Sequence, residues 1–203
     1  MTPKKGAPAS VLVPVLCPAC GRELSVDRGD RIALCLTCRK ATFLSRDLPT
    51  YDLSYVVPPS GSRKADRYVP FWRVEGEATI LADEKKARLY AGIKRLGDLY
   101  YPAFWLPRIQ HFQDFTMRYA LLDGPLETEP REDPVPGGIR SPEMLRAMAR
   151  LTWLTHLDRV EDVSGVDVRY EVKRITLAAV PFFRESNAWL DGICLSKLPP
   201  NLF

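Results

Sequence analysis

An α+β fold is the class that the sequence predicts: an N-terminal four-cysteine module, then a mixed domain with a mostly antiparallel sheet and two to three helices. Three observations predict it. Two Cys-x-x-Cys pairs lie close together near the N-terminus, residues 68–80 alternate between apolar and polar, and apolar residues recur at helical spacing after Asp83. The chain has 203 residues, 46% of them hydrophobic, which suffices for one ordinary core plus a small accessory module.

The most informative motif is the cysteine set Cys17, Cys20, Cys35 and Cys38, in which two Cys-x-x-Cys pairs are separated by fourteen residues. Two residues between cysteines allow a tight turn to present both sulfurs from one side, and two such turns can hold one tetrahedral zinc ion. A dithiol oxidoreductase would instead place one pair at a helix N-terminus in a βαβ setting. The spacing therefore predicts one structural Zn²⁺, with iron as the less favoured metal.

The compartment is predicted from the same residues and from hydropathy. The longest apolar runs, such as residues 11–16 and 177–183, are far shorter than the roughly 18 residues of a membrane-spanning helix. Residues 1–16 lack the pattern of an export signal because Pro8 and Pro14 interrupt a short apolar patch. We therefore expect a cytoplasmic protein, in whose reducing surroundings paired cysteines favour metal over disulfides.

The stretch CPACG at residues 17–21, followed by CLTC at residues 35–38, resembles the zinc-ribbon class. That resemblance covers residues 15–45 and implies a closed structural site with no coordination position for a substrate. Arg39 stands where many ribbons carry glycine. The alternating apolar residues on either side of Asp27–Asp30 predict a short hairpin around this turn: Leu24, Val26, Ile32 and Leu34.

Composition divides the chain into four segments. We predict a flexible tail at residues 1–14, the ribbon at 15–45, a linker at 46–66 and an α+β domain at 67–203. The linker prediction depends on a prolyl pair and a Ser/Gly turn. Within the domain, residues 123–140 are rich in proline and acidic groups, which is typical of a loop.

Periodicity gives the elements of the large domain. Residues 68–80 predict a strand with one solvated face, and Asp83 predicts the cap of a helix reaching about Leu99. Residues 100–109 predict an extended segment, and residues 111–122 a helix. Ser141 and Pro142 predict the start of a helix through about Val160, with these residues facing inward: Met144, Met148, Leu151, Leu154 and Thr155. The apolar stretch 175–183 predicts a central strand, followed by another strand.

Aromatic residues and charge define the candidate contact surfaces. The pattern [VY]-P-x-F or a close variant occurs at residues 69–72, 101–104 and 180–183, and core strands explain it better than an exposed binding platform. Six basic and three acidic residues between Cys17 and Arg46 give +3, and four thiolates with Zn²⁺ bring the module close to neutral. We expect partner contacts from ribbon cations and exposed tryptophans: Arg22, Arg39, Lys40, Trp72 and Trp105.

The function predicted from these features is a non-enzymatic adaptor or assembly subunit that contacts other proteins in a larger complex. Two alternatives stay open. A nucleic-acid-binding ribbon would add linker cations to the ribbon cations: Arg63, Lys64 and Arg67. An enzyme would need an unrecognised site in residues 67–203, where His111, His156 and Cys194 have structural interpretations and no familiar catalytic motif occurs. Peripheral membrane contact is less favoured than these.

Overall fold

A computed structural model of the chain describes residues 14–58, 64–104, 106 and 109–200. The predictions that concern the tail up to residue 13, Arg63 and Trp105 lie outside this part of the chain, as does the side chain of His111. The described strands are β1 Ile32–Cys35, β2 Lys40–Phe43, β3 Thr50–Val56, β4 Arg67–Leu81, β5 Leu99–Pro102, β6 Thr128–Glu129, β7 Asp167–Glu185, β8 Ala188–Asp191 and β9 Lys197–Leu198. The helices are α1 Glu84–Ala91, α2 Ile109–Ala120 and α3 Leu145–Asp158.

These strands form one mixed sheet in the order β1-β2-β3-β7-β4-β5, so the predicted α+β class is confirmed. Strands β6, β8 and β9 join it at the sides of β3 and β7. Every described pairing is antiparallel except that of β3 with β7, which is parallel. The predicted central strand is β7, which pairs with β3, β4 and β8.

The strand β3 corrects the linker prediction at residues 50–56. This segment pairs with β2 on one side and with β7 on the other, so it joins the four-cysteine module to the rest of the sheet. Local composition suggested a linker because prolines flank the segment, whereas its strand conformation depends on a parallel partner that lies far along the chain. The module is consequently an extension of the sheet.

The hairpin of the module also differs from the prediction. The antiparallel pair β1–β2 closes around the second cysteine pair, with Cys35 opposite Lys40. Residues 27–30 form a turn, but only an isolated bridge between Leu16 and Glu23 precedes it. The cysteine turn therefore takes the place of the hairpin turn that the sequence suggested at residues 27–30.

The core lies where the three aromatic-proline motifs meet. Val69 of β4 is opposite Val180 of β7, and Phe71 is opposite Pro102 of β5. The Phe71 ring contacts those of Phe104 and Phe182, with ring centroids 5.6 and 6.4 Å apart. The preference for core strands over an exposed platform is confirmed. Both faces of β4 are covered from residue 68 to 72. The predicted solvated face lies further along the strand, where Glu77 and Thr79 are exposed and Arg73 and Glu75 are half-buried.

Helix α3 begins as predicted but packs through a different face. Ser141 caps a 3-10 turn at Pro142–Met144, and the helix follows. Its buried residues are Leu145, Ala149, Trp153, His156 and Leu157. Met144 and Leu151, which were predicted to face inward, are 65% and 57% exposed. Apolar residues occupy both sides of this helix, so periodicity could not select the face that contacts the sheet.

Helix α1 has the predicted cap and a shorter body. The Asp83 carboxylate accepts a hydrogen bond from the Lys86 backbone N–H at 2.9 Å. The helix ends at Ala91, with Gly92 as its C-cap, well before the predicted Leu99. Leu99 belongs to β5, where it is fully buried against β4. Burial in the sheet thus takes precedence over the helical periodicity of residues 93–100.

Candidate metal centre

The first cysteine pair lies in a tight turn at residues 17–21. The Cys17 carbonyl accepts hydrogen bonds from the backbone N–H groups of Cys20 at 3.3 Å and Gly21 at 2.8 Å. Gly21 closes the turn with a φ of +72°, a left-handed conformation that glycine adopts without steric cost. The sequence CPACG therefore places both sulfurs on the same side of one turn.

The second pair lies where β1 ends and β2 begins. Cys35 is the last residue of β1, Cys38 lies in the following turn, and Arg39 has a φ of +54°. Arg39 thus adopts the left-handed conformation that Gly21 has at the equivalent position of the first turn. For a residue with a Cβ, this conformation costs roughly 1–2 kcal/mol. The substitution of arginine for glycine in the ribbon pattern is therefore compatible with the usual turn geometry.

The four sulfurs form one compact cluster. Their Sγ atoms all lie within 4.8 Å of one another, and the Cys17–Cys38 and Cys20–Cys35 pairs are each 3.5 Å apart. Four thiolates about 2.3 Å from a tetrahedral ion would be separated by roughly 3.8 Å. The donor set and its spacing fit a metal ion, so the predicted ligands Cys17, Cys20, Cys35 and Cys38 make a plausible metal site.

Burial and hydrogen bonding give the thiols different acidities. Burial, and then the neighbouring thiols, raise the pKa of Cys38 to about 12. Burial also raises the pKa of Cys35, but the backbone N–H groups of Cys38 and Thr37 and the adjacent thiols outweigh it and lower the pKa to about 7. Backbone N–H groups directed at a sulfur favour the thiolate, which is the form that binds a metal.

The proline-rich loop attaches the module to the large domain. The Gly138 carbonyl accepts hydrogen bonds from the backbone N–H groups of Arg31 at 2.6 Å and Ile32 at 2.8 Å. On the other side, the Ala103 carbonyl accepts from Ile139 at 2.8 Å and Arg140 at 3.1 Å. The segment that composition predicted to be a loop thus connects β1 to the end of β5 through backbone hydrogen bonds.

The predicted contact residues have different surroundings. Arg22 is exposed. Arg39 lies 3.8 Å from Glu132, and Lys40 forms an ion pair with Asp52. Trp72 is fully buried, and its Nε1–H donates to the Arg140 carbonyl at 2.9 Å. The prediction of Trp72 as a partner contact is therefore wrong: it lies in the part of β4 that is covered on both faces.

Several exposed apolar residues near the cysteines were not singled out from the sequence as contact residues. Leu16 and Leu36, which flank Cys17 and Cys35, are 51% and 46% exposed, and Val26 is 36% exposed. Their neighbours in the sequence carry a usable signal, because a residue beside a metal ligand in a tight turn has little core to enter. We call Leu16 and Leu36, each adjacent in the sequence to a cysteine of the cluster, the knuckle leucines.

Other chemistry-bearing residues serve the fold. The buried Asp191 carboxylate accepts hydrogen bonds from Tyr119 Oη at 2.9 Å and from the backbone N–H groups of Ile193, Cys194 and Ser196 at 3.0, 2.8 and 2.8 Å. It thereby closes the turn between β8 and β9. Within that turn, burial raises the pKa of the Cys194 thiol to about 11. Such a thiol is a weak nucleophile at neutral pH.

Neither histidine was predicted to be functional, and His156 has structural contacts. Its Nε2–H donates to the Lys94 carbonyl at 2.9 Å, which ties α3 to the segment after α1. The ring is buried against Trp153.

Comparison with known protein families, curated proteins and solved structures finds no match. None of the described helices is long and apolar enough to cross a membrane.

Proposed function

We propose that this chain is a non-enzymatic zinc-ribbon adaptor, whose metal-stabilised module contacts another protein in a cytoplasmic assembly. The observation that carries the proposal is the exposure of the knuckle leucines, each adjacent in the sequence to a cysteine of the four-thiol cluster, and of Val26 in the same module. Large apolar side chains that stay exposed in a small module indicate a protein–protein contact site where they lie in one patch. A partner that covers them would gain from burying this area.

Zinc is the metal that the donor set favours. Four cysteine ligands with two-residue spacing are the usual set of a structural zinc site, and a tetrahedral ion with four thiolates has no open position for a substrate. This supports a structural role for the ion and a binding role for the module. The thiols must also stay reduced to bind metal, which is consistent with the cytoplasm as the compartment.

Charge favours a protein partner over nucleic acid. Two of the cations that a nucleic-acid site would use already have acidic neighbours, because Arg39 lies near Glu132 and Lys40 pairs with Asp52. A nucleic-acid site usually presents a dense basic surface without such neutralisation. The exposed apolar residues of the module therefore support protein contact more directly than the cations support phosphate contact.

The test compares Leu36→Ser with Leu89→Ser. Both leucines are nearly half exposed, Leu36 in the module and Leu89 on α1. Native mass spectrometry of each variant, isolated gently from its own cells, reports zinc content and partner stoichiometry together. We expect one zinc in every variant and loss of a stoichiometric protein partner only with Leu36→Ser. An unchanged partner set in Leu36→Ser, or nucleic acid that dissociates with salt, would contradict the proposal.

A further inference from the structure

The strands β4 and β7 extend beyond the rest of the sheet as a two-stranded ribbon. β4 pairs with β7 as far as Leu81 opposite Asp167, whereas β5 accompanies β4 only over residues 71–74. On its other side, β7 pairs with β3 at residues 177–179 and with β8 at residues 182–185. Within the described chain, residues 167–173 of β7 thus have no strand on that side, and we call them the free β7 edge.

Such an edge has backbone groups that another strand can satisfy. Alternate residues of an edge strand direct their N–H and C=O groups away from the existing partner, where water or a further strand binds them. The free β7 edge is seven residues long, which is above the usual length of a strand in a globular protein. The chemistry of the edge therefore suits an extended backbone.

The side chains of the free β7 edge alternate from Asp167 to Val172. A β-bulge follows at Lys173, because Glu75 of β4 is opposite Arg174 and Gly76 is opposite Val172. Val168 and Tyr170 are buried on one face, and α3 packs against β7. On the opposite face, Arg169, Glu171 and Lys173 are exposed and Asp167 is half-buried. The outer face thus carries a negative, a positive and a negative charge at the alternate residues Asp167, Arg169 and Glu171, followed by a positive charge at the bulged Lys173.

We infer that two copies of this chain pair through their free β7 edges, antiparallel, around a two-fold axis at Tyr170. In this register Arg169 lies opposite Glu171 of the second copy, and Asp167 faces the bulge at Lys173. The two-fold axis repeats the Arg169–Glu171 pair, so both of these charges face an opposite charge. Opposite charges directly across an antiparallel pair stabilise it, and like charges destabilise it.

The charge sequence also selects this register over its neighbours. A shift of the axis to Arg169 places Asp167 opposite Glu171 and Arg169 opposite itself. A shift to Glu171 places Arg169 opposite the bulge at Lys173 and Glu171 opposite itself. Both alternatives put like charges in contact. The edge of β4 beyond β5, residues 75–81, is a poor alternative for a second copy, since its only charges are Glu75 and Glu77.

Space beside the edge is consistent with an added strand. An open groove of about 560 Å³ runs between the start of β7 and the first turns of α3. Its lining includes Asp167, Arg169 and Tyr170 of the edge and Arg146, Ala147 and Arg150 of α3. The ion pairs that Asp167 now makes with Arg150 and Lys173 makes with Glu77 are exposed, and such pairs cost little to share or exchange.

Sedimentation equilibrium of the metal-loaded full chain tests the inference with a charge swap. Each of Arg169→Glu and Glu171→Arg creates two like-charge contacts per dimer, so we expect each to weaken dimerisation about tenfold or more. The double variant R169E/E171R restores both pairs with their signs exchanged, and we expect its dimerisation within about threefold of the original. Arg88→Glu, an exposed change of the same kind on α1, is the matched control.

The outcomes separate this contact from other forms of association. Recovery in the double variant, with circular dichroism unchanged throughout, supports pairing through the free β7 edge. A monomer at every concentration overturns the inference and indicates that the charges only protect the edge. A dimer that both single variants leave unchanged overturns it as well and indicates another surface. The contact involves no residue of the cysteine module, so its failure would not affect the proposed function.

Discussion

The two faces of the β1–β2 hairpin are stabilised in different ways. One face contributes Ile32, Ala41 and Phe43 to the large apolar core. The other contributes Ala33 and Cys35 to a separate cluster with Cys17 and Leu24. A few buried residues cannot stabilise a fold by burial alone, and a metal ion bound by the four cysteines would supply the missing free energy. One strand pair thus packs on the large apolar core on one side and on the four-cysteine cluster, a candidate metal site, on the other.

Removing one of the candidate metal-binding cysteines should have the largest effect on the stability of the hairpin. We expect Cys35→Ser to abolish stoichiometric metal binding and to lower the free energy of unfolding by more than about 4 kcal/mol at saturating metal. The buried sulfur lies at the end of β1, so the cysteine-facing side of the hairpin loses its stabilisation first. Metal analysis and denaturant unfolding measure both effects.

Cys194→Ser is the control for this experiment, because it removes a thiol outside the cluster. It should retain the metal and most of the stability. A Cys35→Ser variant with full metal content would show that the cluster does not need all four sulfurs. Retained tertiary signal from the aromatic core after metal loss would show that the apolar face suffices to hold the hairpin on the sheet.

Truncating the core face should have the next largest effect. Phe43 is buried, and the Arg31 guanidinium lies 5.3 Å from its ring centroid. Phe43→Ala should cost about 3–4 kcal/mol through lost burial and the cavity left behind, while metal stoichiometry stays at one. Denaturant unfolding with metal analysis tests this. A loss of metal together with stability would show that the two faces are coupled.

A smaller loss of stability is expected at Gly138, where the proline-rich loop joins the cysteine module to the large domain. A Cβ at Gly138 would lie 2.6 Å from Ile32 Cδ1 and 2.9 Å from the Ala103 carbonyl oxygen. Gly138→Ala should therefore cost about 1–3 kcal/mol by forcing the loop away from β1. Gly92→Ala is the matched control, because its nearest neighbour would be 3.9 Å away. Equal thermal stability of the two variants would contradict this role of the loop.

The smallest loss of stability is expected for the ion pairs by which Asp52 links Lys40 of the cysteine module to Arg174 of the large domain. Hydrogen bonds from Lys40 of β2 and then Arg174 of β7 lower the pKa of Asp52. A lowered pKa contributes stability above the unfolded value of about 3.9, and this contribution is lost as pH falls through the folded value. Because the pairs are about half exposed, we expect Asp52→Asn to cost about 0.5 kcal/mol at neutral pH.

The measurement is unfolding free energy from pH 7 down to pH 3. The difference between Asp52→Asn and the unsubstituted protein should shrink as the carboxyl group becomes protonated. Glu161→Gln, an exposed change without an ion pair among the described residues, should show no such convergence. A difference that is independent of pH would indicate a steric cause instead of a charge effect.

The sequence predicted the elements that depend on local chemistry. The cysteine spacing, the Asp83 and Ser141 caps and the apolar run of β7 each specify a turn, a helix start or a buried strand through neighbouring residues. The candidate metal ligands follow from spacing alone, because the chemistry of four thiolates leaves few other interpretations.

What could not be predicted depends on contacts between distant residues. The strand β3 exists because β7 lies beside it, and the inward face of α3 is selected by Tyr101 and Lys94, which bond Thr152 and His156. The sequence could not show that Trp72 lies in the core, because a tryptophan suits the core and a partner contact equally well. Hydrophobic periodicity does not encode the exposure of the knuckle leucines, and the adjacent cysteines were the signal for it in the sequence.

The parallel pairing of β3 with β7 also has a consequence for synthesis of the chain. Asp52 of β3 and Arg174 of β7 form an ion pair although they are 122 residues apart in the sequence. Contacts of such separation form late and slowly, because a long loop must close first. On the ribosome, β3 and β4 therefore emerge long before their common partner. Nascent chains that stop short of β7 expose apolar strands, and these are the species on which chaperones and proteases act.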